Sequence, residues 1–274
     1  MTLLVAWAGV DTHGPASIYI ASDSRISWGS SIFFDRGRKV FAFKNWPDIL
    51  GYCGDVLFPS IALNQIVELA DAGLLFGPDF TGQQKFQAIV DKLNDLVSEY
   101  PQLHTGLAAN SLGVVHASRD PRTEQFFSCN TITWRSGHGW TGKTAPIPIR
   151  SEVMFALGSA APAFEANYAR YRSGPTSGTS RAVFHCFCDT LKASNDPTIG
   201  GPPQLVGIIR KLGSKACNFG VVYSGQRTFL GAHIDNLRNF DAVQWRNSDF
   251  ELCDGQTGKR LPEAKLQPDP NRRL

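Results

Sequence analysis

The sequence has few charged residues, no closely spaced cysteine motif and no long apolar run. Charged residues make up 19% of the 274 residues, and 27 Lys and Arg against 24 Asp and Glu leave a net charge of +3. A dedicated nucleic-acid-binding protein usually carries a concentrated basic face, which this balance does not suggest. The hydrophobic content of 42% is too high for a disordered chain and sufficient for a large core. The composition therefore predicts a globular protein with no nucleic-acid partner.

Signals for export or membrane insertion are missing from the first part of the sequence. A secretory signal needs a positive residue before its apolar stretch, and the first Lys or Arg here is Arg25. The apolar run over residues 3–10 is also much shorter than the roughly 20 residues that cross a bilayer. We therefore expect a cytoplasmic protein with no membrane partner.

The cysteines and histidines form no metal or redox motif. The six cysteines include no CxxC pair, and the six histidines include no HExxH spacing. We expect reduced, mostly buried thiols, and no metal or other cofactor. Residues 137–144 match the phosphate-binding pattern GxxxxGK[ST], but Pro146 and Pro148 argue against the helix that such a motif opens. We therefore expect residues 136–148 to form a loop.

The pattern of apolar residues predicts runs of strands that alternate with pairs of helices. In chain order, the predicted elements are strands over residues 3–10, 17–22, 39–43 and 49–53, helices over 57–72 and 83–100, strands over 113–118, 125–134 and 153–157, helices over 163–171 and 180–193, and strands from residue 204. Thr81 and Gln84 predict a capping box for the second helix. This order favours an α+β fold, a four-layer αββα sandwich of two antiparallel sheets flanked by helix pairs.

Four features along the chain suggest one catalytic arrangement, although each has an ordinary reading by itself. Thr2 directly precedes the first strand, and an N-terminal threonine offers a hydroxyl nucleophile and an amine base on one residue. Asp23 ends the second strand and could be a simple turn residue. Lys39 enters the third strand, where a lysine is usually a solvated edge residue. Gly54 lies where a strand gives way to a helix, and a glycine there can present a backbone N–H to an oxyanion.

Together these features resemble the proteasome β-subunit family of the N-terminal-nucleophile (Ntn) hydrolases. That family has a threonine opening the first strand, an Asp-Ser-Arg closing the second and a lysine on the third. The separation of Asp23 and Lys39, 39 − 23 = 16, matches the family's spacing. Ser159, in Leu-Gly-Ser, resembles the family's Gly-Ser element, and residues 195–201 resemble its Asp-x-x-Ser-Gly-Gly loop. The resemblance spans roughly residues 2–222 and implies the Ntn hydrolase fold.

The chain departs from the family pattern at three places. Ile199 stands where the family usually has serine. One hydrogen bond that supports the nucleophile is therefore either missing or supplied by Thr198. Cys53-Gly54-Asp55 replaces Ala-Gly-Gly and bears on specificity. We also expect no propeptide, so exposure of Thr2 would depend on removal of Met1.

The resemblance implies a role for each of six residues. Thr2 Oγ attacks an amide carbonyl, and its own α-amine takes the proton. Lys39 supplies positive charge, and Asp23 holds Lys39. The Gly54 N–H stabilises the oxyanion. The remaining two catalytic residues, which orient the amine, are Ser159 and Asp196.

The leading hypothesis is a proteasome-like threonine peptidase that acts on peptides or unfolded proteins. The resemblance also implies a homo-oligomeric ring, with an unfoldase as a possible partner. Two alternatives stay open, which are a catalytically silent ring or scaffold subunit and an Ntn amidase for a small molecule. We expect residues 1–235 to form the hydrolase domain and residues 236–274 to form a partly flexible C-terminal extension.

Overall fold

A computed structural model describes residues 2–29, 31–102, 107, 111–120, 122, 126–210, 215–235 and 239–264. Within these ranges the helices are α1 (Leu57–Asp71), α2 (Gly82–Glu99), α3 (Ala161–Tyr171) and α4 (Ser180–Ala193), with a short 3-10 turn at Phe240–Ala242. All four predicted helices are confirmed. The predicted capping box is also present, since Thr81 Oγ1 accepts from the Gln84 N–H at 3.3 Å and the Gln84 side chain accepts from the Thr81 N–H at 2.8 Å.

The strands form one large sheet, one five-stranded sheet and a separate hairpin. In chain order they are β1 (Leu4–Asp11), β2 (Gly14–Ser22), β3 (Ile26–Trp28), β4 (Ile32–Phe34), β5 (Val40–Ala42), β6 (Asp48–Gly54), β7 (Ser111–Arg119), β8 (Phe127–Arg135), β9 (Gly139–Thr144), β10 (Glu152–Leu157), β11 (Gln204–Ile209), β12 (Cys217–Tyr223), β13 (Gln226–Phe229), β14 (Ala232–His233), β15 (Trp245–Asn247) and β16 (Leu252–Cys253). The large sheet runs β10-β1-β2-β11-β12-β13-β14, and β15 and β16 join it through β12. The second sheet has the order β5-β6-β7-β8-β9, and β3 pairs with β4 in the hairpin.

Apolar side chains on both faces of the central strands explain how these elements pack. One cluster joins α1 and α2 to β6 and β7, a second joins β1 and β2 to β5–β8, and a third joins β1 and β2 to α3 and α4. At the start of β1, Leu4 contributes to the cluster between the sheets, whereas Val5 and the preceding residue Leu3 contribute to the cluster with α3 and α4. The α+β class expected from the sequence is therefore confirmed.

Two expectations about the sheets are wrong. The expected loop over residues 136–148 contains β9, which pairs with β8 from Trp134↔Trp140 to Asn130↔Thr144. Pairing with a neighbouring strand overrides the weak strand preference of a segment rich in glycine and proline. The P-loop pattern consequently lies on an antiparallel strand. The large sheet is also mixed, because β15 runs parallel to β12 after a crossover through β13 and β14.

The part of the chain after residue 235 contributes to the large sheet through β15 and β16. Phe250 anchors this part, since its ring is 4% exposed and contacts those of Trp7, Tyr19 and Phe184. Residues 265–274 of the extension that we expect to be partly flexible lie outside the described residues.

The cysteines are unpaired, as expected, and all except Cys217 are buried. Among the described residues, no helix is both long and apolar enough to cross a membrane.

Candidate active site

The ends of three strands bring Thr2, Asp23 and Lys39 together. Thr2 and Leu3 precede β1, Asp23 follows β2, and Lys39 precedes β5. The β1–β2 pairing aligns Leu4 with Ser22, so the residues flanking these partners meet at the same edge of the sheet. Lys39 comes from the facing five-stranded sheet. The site therefore forms where the two sheets approach each other.

Lys39 connects the proposed nucleophile to the proposed supporting acid. Its Nζ lies 2.9 Å from Thr2 Oγ1 and 2.9 Å from Asp23 Oδ1. Lys39 and Asp23 are completely buried, and Thr2 is only 1% exposed. The solvated strand-edge reading of Lys39 is therefore wrong. A buried ammonium that donates to a hydroxyl favours the ionised form of that hydroxyl, because water does not screen its charge.

The Asp23 carboxylate has a full set of hydrogen-bond donors. Oδ1 accepts from the Leu3 N–H at 3.1 Å as well as from Lys39. Oδ2 accepts from the N–H groups of Arg25 and Gly200 at 3.2 and 3.3 Å. Burying a carboxylate is tolerable only with such compensation. Asp23 is thus held in one orientation by backbone from three separate segments, and Lys39 is held with it.

The backbone of Gly158 lies against the backbone of Thr2. A Cβ atom on Gly158 would lie 1.9 Å from the Thr2 carbonyl oxygen, and Gly158 has φ +93°. Only glycine adopts this conformation and this contact without strain. Ser159 follows directly and is exposed on the wall of the cavity described below.

The Gly54 N–H faces the side of β6 on which Lys39 lies. The Tyr52 N–H donates to the Lys39 carbonyl at 3.1 Å, whereas the Asp55 N–H donates to the Ser111 carbonyl on the opposite side at 3.3 Å. Because N–H groups alternate between the two edges of a strand, the Gly54 N–H points to the same edge as that of Tyr52. Gly54 has φ +98°, and a Cβ there would lie 1.9 Å from the Ser111 oxygen, so this position requires glycine.

Asp196 is tied to the same region through Thr198. Asp196 Oδ1 accepts from the Thr198 N–H at 2.9 Å and from its hydroxyl at 2.5 Å. These hydrogen bonds hold the pKa of Asp196 below its ordinary value. Thr198 lines the cavity with Ser159, while Ile199 is buried in the apolar cluster beneath α4. At the position next to Ile199, the Thr198 hydroxyl therefore donates to Asp196.

A cavity of about 1130 Å³ lies beside this cluster. Its wall includes Gly54, Ser159 and Thr198, together with apolar side chains such as Trp28 and Leu57. Thr2, Asp23 and Lys39 are not among the residues that line it. The buried cluster and the cavity are thus neighbours, joined by the glycine backbones of residues 54 and 158.

Cys53 places a thiol, a second group that can serve as a nucleophile in enzymes, on the cavity wall. Burial raises the pKa of its thiol to about 11, so it is protonated at neutral pH. The described residues also contain no group of three or more His, Cys, Asp or Glu side chains that could hold a metal ion.

Several interactions around the cluster could not be anticipated from the sequence motifs. Arg25 donates from Nε and Nη2 to the two carboxylate oxygens of Asp35, at 2.6 and 2.8 Å. The Arg25 guanidinium holds the pKa of Asp35 below its usual value. Arg25 also donates to the Pro197 carbonyl, which fixes the loop that carries Asp196. Gln204, buried at the start of β11, contacts both Asp23 and Lys39 and carried no signal in the sequence.

Two solved structures with a similar fold are proteins named Anbu. Anbu (ancestral beta-subunit) from Yersinia bercovieri has a TM-score of 0.54 and 10% identity, over 79% of this chain and 87% of that one. An Anbu (Gly-1) mutant from Hyphomicrobium sp. strain MC1 has a TM-score of 0.53 and 11% identity, over 80% of this chain and 87% of that one. No family model matches the chain, and neither does any curated protein.

These comparisons correct the family suggested by the motifs. Anbu is proteasome-like but distinct from the proteasome β-subunits, so the assignment to the β-subunit family is wrong. At 10–11% identity the similarity shows the fold alone. The chain therefore shares its fold, of the α+β class, with these Anbu structures.

Proposed function

We propose that this chain is a threonine-type peptidase whose nucleophile is the hydroxyl of Thr2. One observation carries the proposal, which is that Lys39 Nζ lies 2.9 Å from both Thr2 Oγ1 and Asp23 Oδ1 in a buried cluster. Titratable groups arranged in this way beside a cavity are typical of functional sites. The proteasome-like fold supports the same reading.

The reaction divides among the residues as follows. Thr2 Oγ attacks the carbonyl carbon of a scissile amide, and the α-amine of Thr2 accepts the hydroxyl proton. Lys39 stabilises the developing alkoxide, and Asp23 fixes Lys39. The Gly54 N–H donates to the oxyanion of the tetrahedral intermediate. The amine then returns the proton to the leaving amine, and water hydrolyses the resulting acyl ester.

Ser159 and Asp196 are proposed to orient the α-amine of Thr2. Asp196 accepts two hydrogen bonds from Thr198 through Oδ1. In this proposal its other oxygen, Oδ2, interacts with the α-amine of Thr2. Ser159 stands on the cavity wall one residue after Gly158, whose backbone abuts Thr2.

The proposal extends to the layers of the fold, the domains and the assembly. The two sheets and the helices are proposed to form the four-layer αββα sandwich that the sequence favours. Residues 1–235 would carry the catalytic machinery and residues 236–274 a C-terminal extension. The active form would be a cytoplasmic homo-oligomeric ring that takes peptides or unfolded proteins, with an unfoldase as a possible partner.

The N-terminus provides the test. The α-amine of Thr2 exists only when no residue precedes it, so the active protein must begin at Thr2. Intact-mass spectrometry of the purified protein should show loss of Met1. Thr2→Ala should abolish peptide hydrolysis while the oligomer persists, and Thr2→Ser should retain part of it. Hydrolysis by a protein that still carries Met1 would refute the mechanism.

A catalytically silent subunit is the second candidate, and one observation favours it. In the chain that carries Met1, Thr2 is 1% exposed and is not among the residues that line the cavity, as expected of a residue that meets no substrate. A protein that keeps Met1 and hydrolyses no peptide of a broad panel would establish this reading.

A further inference from the structure

Gln204 is a buried amide that contacts the catalytic cluster from behind. It is completely buried at the first position of β11. Its Oε1 accepts from the Lys39 N–H at 3.1 Å, and its Nε2 donates to the carbonyls of Asp23 and Gly37 at 3.1 and 2.7 Å. Both donor hydrogens of the amide and its acceptor are therefore engaged with the segments that carry Asp23 and Lys39.

Two of these three hydrogen bonds, to the Lys39 N–H and the Gly37 carbonyl, reach from the large sheet to the segment that leads into the five-stranded sheet. Gln204 and Asp23 belong to the large sheet, where Gln204 is paired with Ser22. Lys39 leads into β5 of the five-stranded sheet, and Gly37 precedes it in the connecting segment. The Gln204 amide thus links the Lys39 backbone to the end of β2, beside a direct hydrogen bond from the Gly37 N–H to the Ser24 carbonyl at 2.9 Å. The long, flexible side chain of Lys39 could not by itself fix the distance between the Lys39 backbone and the end of β2.

We propose that Gln204 is a positioning residue that holds the Lys39 backbone so that its ammonium reaches Thr2 and Asp23 together. This inference rests on the proposed function, because it assigns Gln204 a part in that reaction. Gln204 does not touch the reacting atoms. It acts through Lys39, and a displacement of about 1 Å at such a group is sufficient to lower a rate by roughly a hundredfold.

The experiment replaces Gln204 with methionine, which has a similar length and shape but cannot make the three hydrogen bonds. The matched control is Thr190→Val. Thr190 is also buried, and its hydroxyl donates to the Cys186 carbonyl at 2.8 Å and accepts from Asn167 at 3.1 Å, within the α3–α4 pair. Both variants remove buried hydrogen bonds, so both should lower the melting temperature.

Two measurements distinguish a positioning role of Gln204 from a general loss of stability. For Gln204→Met we expect kcat to fall by about ten- to a hundredfold with little change in KM, whereas Thr190→Val should keep kcat. The second readout is the ¹H–¹⁵N signal of the Lys39 ammonium in protein labelled with ¹⁵N-lysine, assigned with a Lys39→Met variant. This signal should move or broaden in Gln204→Met and remain in place in Thr190→Val.

The two readouts also distinguish the inference from the proposed function. Wild-type kcat in folded Gln204→Met, or an equal loss of kcat in Thr190→Val, would overturn the inference. If the wild-type protein hydrolyses no peptide, the proposed function fails, and an unmoved Lys39 signal in Gln204→Met would then overturn the positioning role as well. Should Gln204→Met not fold, Gln204→Glu keeps the length and the acceptor and undergoes the same two measurements.

Discussion

Lys39 Nζ lies 2.9 Å from Thr2 Oγ1 at a place where both side chains are sealed from solvent. The distance is that of a direct hydrogen bond, with the ammonium as donor. In bulk water the effect of one ammonium on a hydroxyl would be small, but the buried location preserves it. The relationship between these two residues is therefore the strongest physical reason to expect chemistry at this site.

Replacing Lys39 with alanine should remove activity and lower stability. We expect hydrolysis to fall by at least about a hundredfold, because the positive charge beside the nucleophile is lost. The free energy of unfolding should also fall by about 3 kcal/mol, because Asp23 is left as an unpaired buried charge. Peptide turnover and denaturant unfolding measure the two effects.

The structure offers a matched control in Lys85→Ala. Lys85 is also buried, and its Nζ lies 2.8 Å from Asp48 Oδ2, on the opposite side of the five-stranded sheet from the cluster. This variant should lose a similar amount of stability and keep its kcat. An equal loss of turnover in both variants would mean that Lys39 acts on stability alone.

Cys53 should not be the nucleophile. Its pKa of about 11 keeps the thiol protonated between pH 7 and 8, and a protonated thiol is a poor nucleophile. Iodoacetamide at pH 8 should leave Cys53 unmodified in the folded protein and modify it after denaturation, as measured by peptide mapping. Cys53→Ala should retain most of the hydrolysis. Loss of turnover that parallels alkylation of Cys53 would contradict the assignment to Thr2.

Adding a methyl group at Gly158 should disturb Thr2. Gly158→Ala places a Cβ 1.9 Å from the Thr2 carbonyl oxygen, so the start of β1 must move. Gly73→Ala is the control, because Gly73 also has a positive φ, +74°, but no atom within 4 Å of its Cβ position. Both variants should carry backbone strain of about 1 kcal/mol, and only Gly158→Ala should lose turnover. Normal turnover in Gly158→Ala would separate Thr2 from the reaction.

The proposed ring should be measurable in solution. We expect a closed homo-oligomer of roughly six or more subunits, determined by multi-angle light scattering at micromolar concentration. We expect the exposed apolar side chain of Ile61 on α1, 49% exposed, to lie in the contact between subunits, so Ile61→Asp should lower the mass. Ile149→Asp, at a loop residue that is 87% exposed, should not. A monomer as the only species of the unmodified chain would contradict the ring.

The sequence predicts the regular elements well where burial controls the pattern. The β1–β2 hairpin and all four helices have strong apolar periodicity, and the structure contains them. The sequence predicts the strands poorly where contacts with neighbouring elements determine the local structure. β9 is rich in glycine and forms a strand because β8 lies beside it. The β3–β4 hairpin was missed because its strands are short and its apolar side chains are exposed, including Trp28 at 58%.

For the candidate site, sequence order located the charged groups but not their support. Asp23 and Lys39 lie 16 residues apart in the chain and 2.9 Å apart in space, which the motif spacing suggested. Gln204 is 165 residues from Lys39, and a single glutamine in an apolar strand has no spacing that reveals its partners. The burial of Thr2 was also hidden, because nothing in the motif describes the surroundings of the nucleophile.

The place of β1 within the large sheet favours early removal of Met1 from the proposed enzyme. β1 lies between β2 and β10, and β10 is synthesised about 150 residues later. Until β10 emerges from the ribosome, one edge of β1 remains open and an aminopeptidase can reach the bond before Thr2. Once β10 has paired, both edges of β1 are occupied, so removal of Met1 should be slower from the folded chain than from the growing one. Synthesis rate and aminopeptidase supply would then set the fraction of competent molecules.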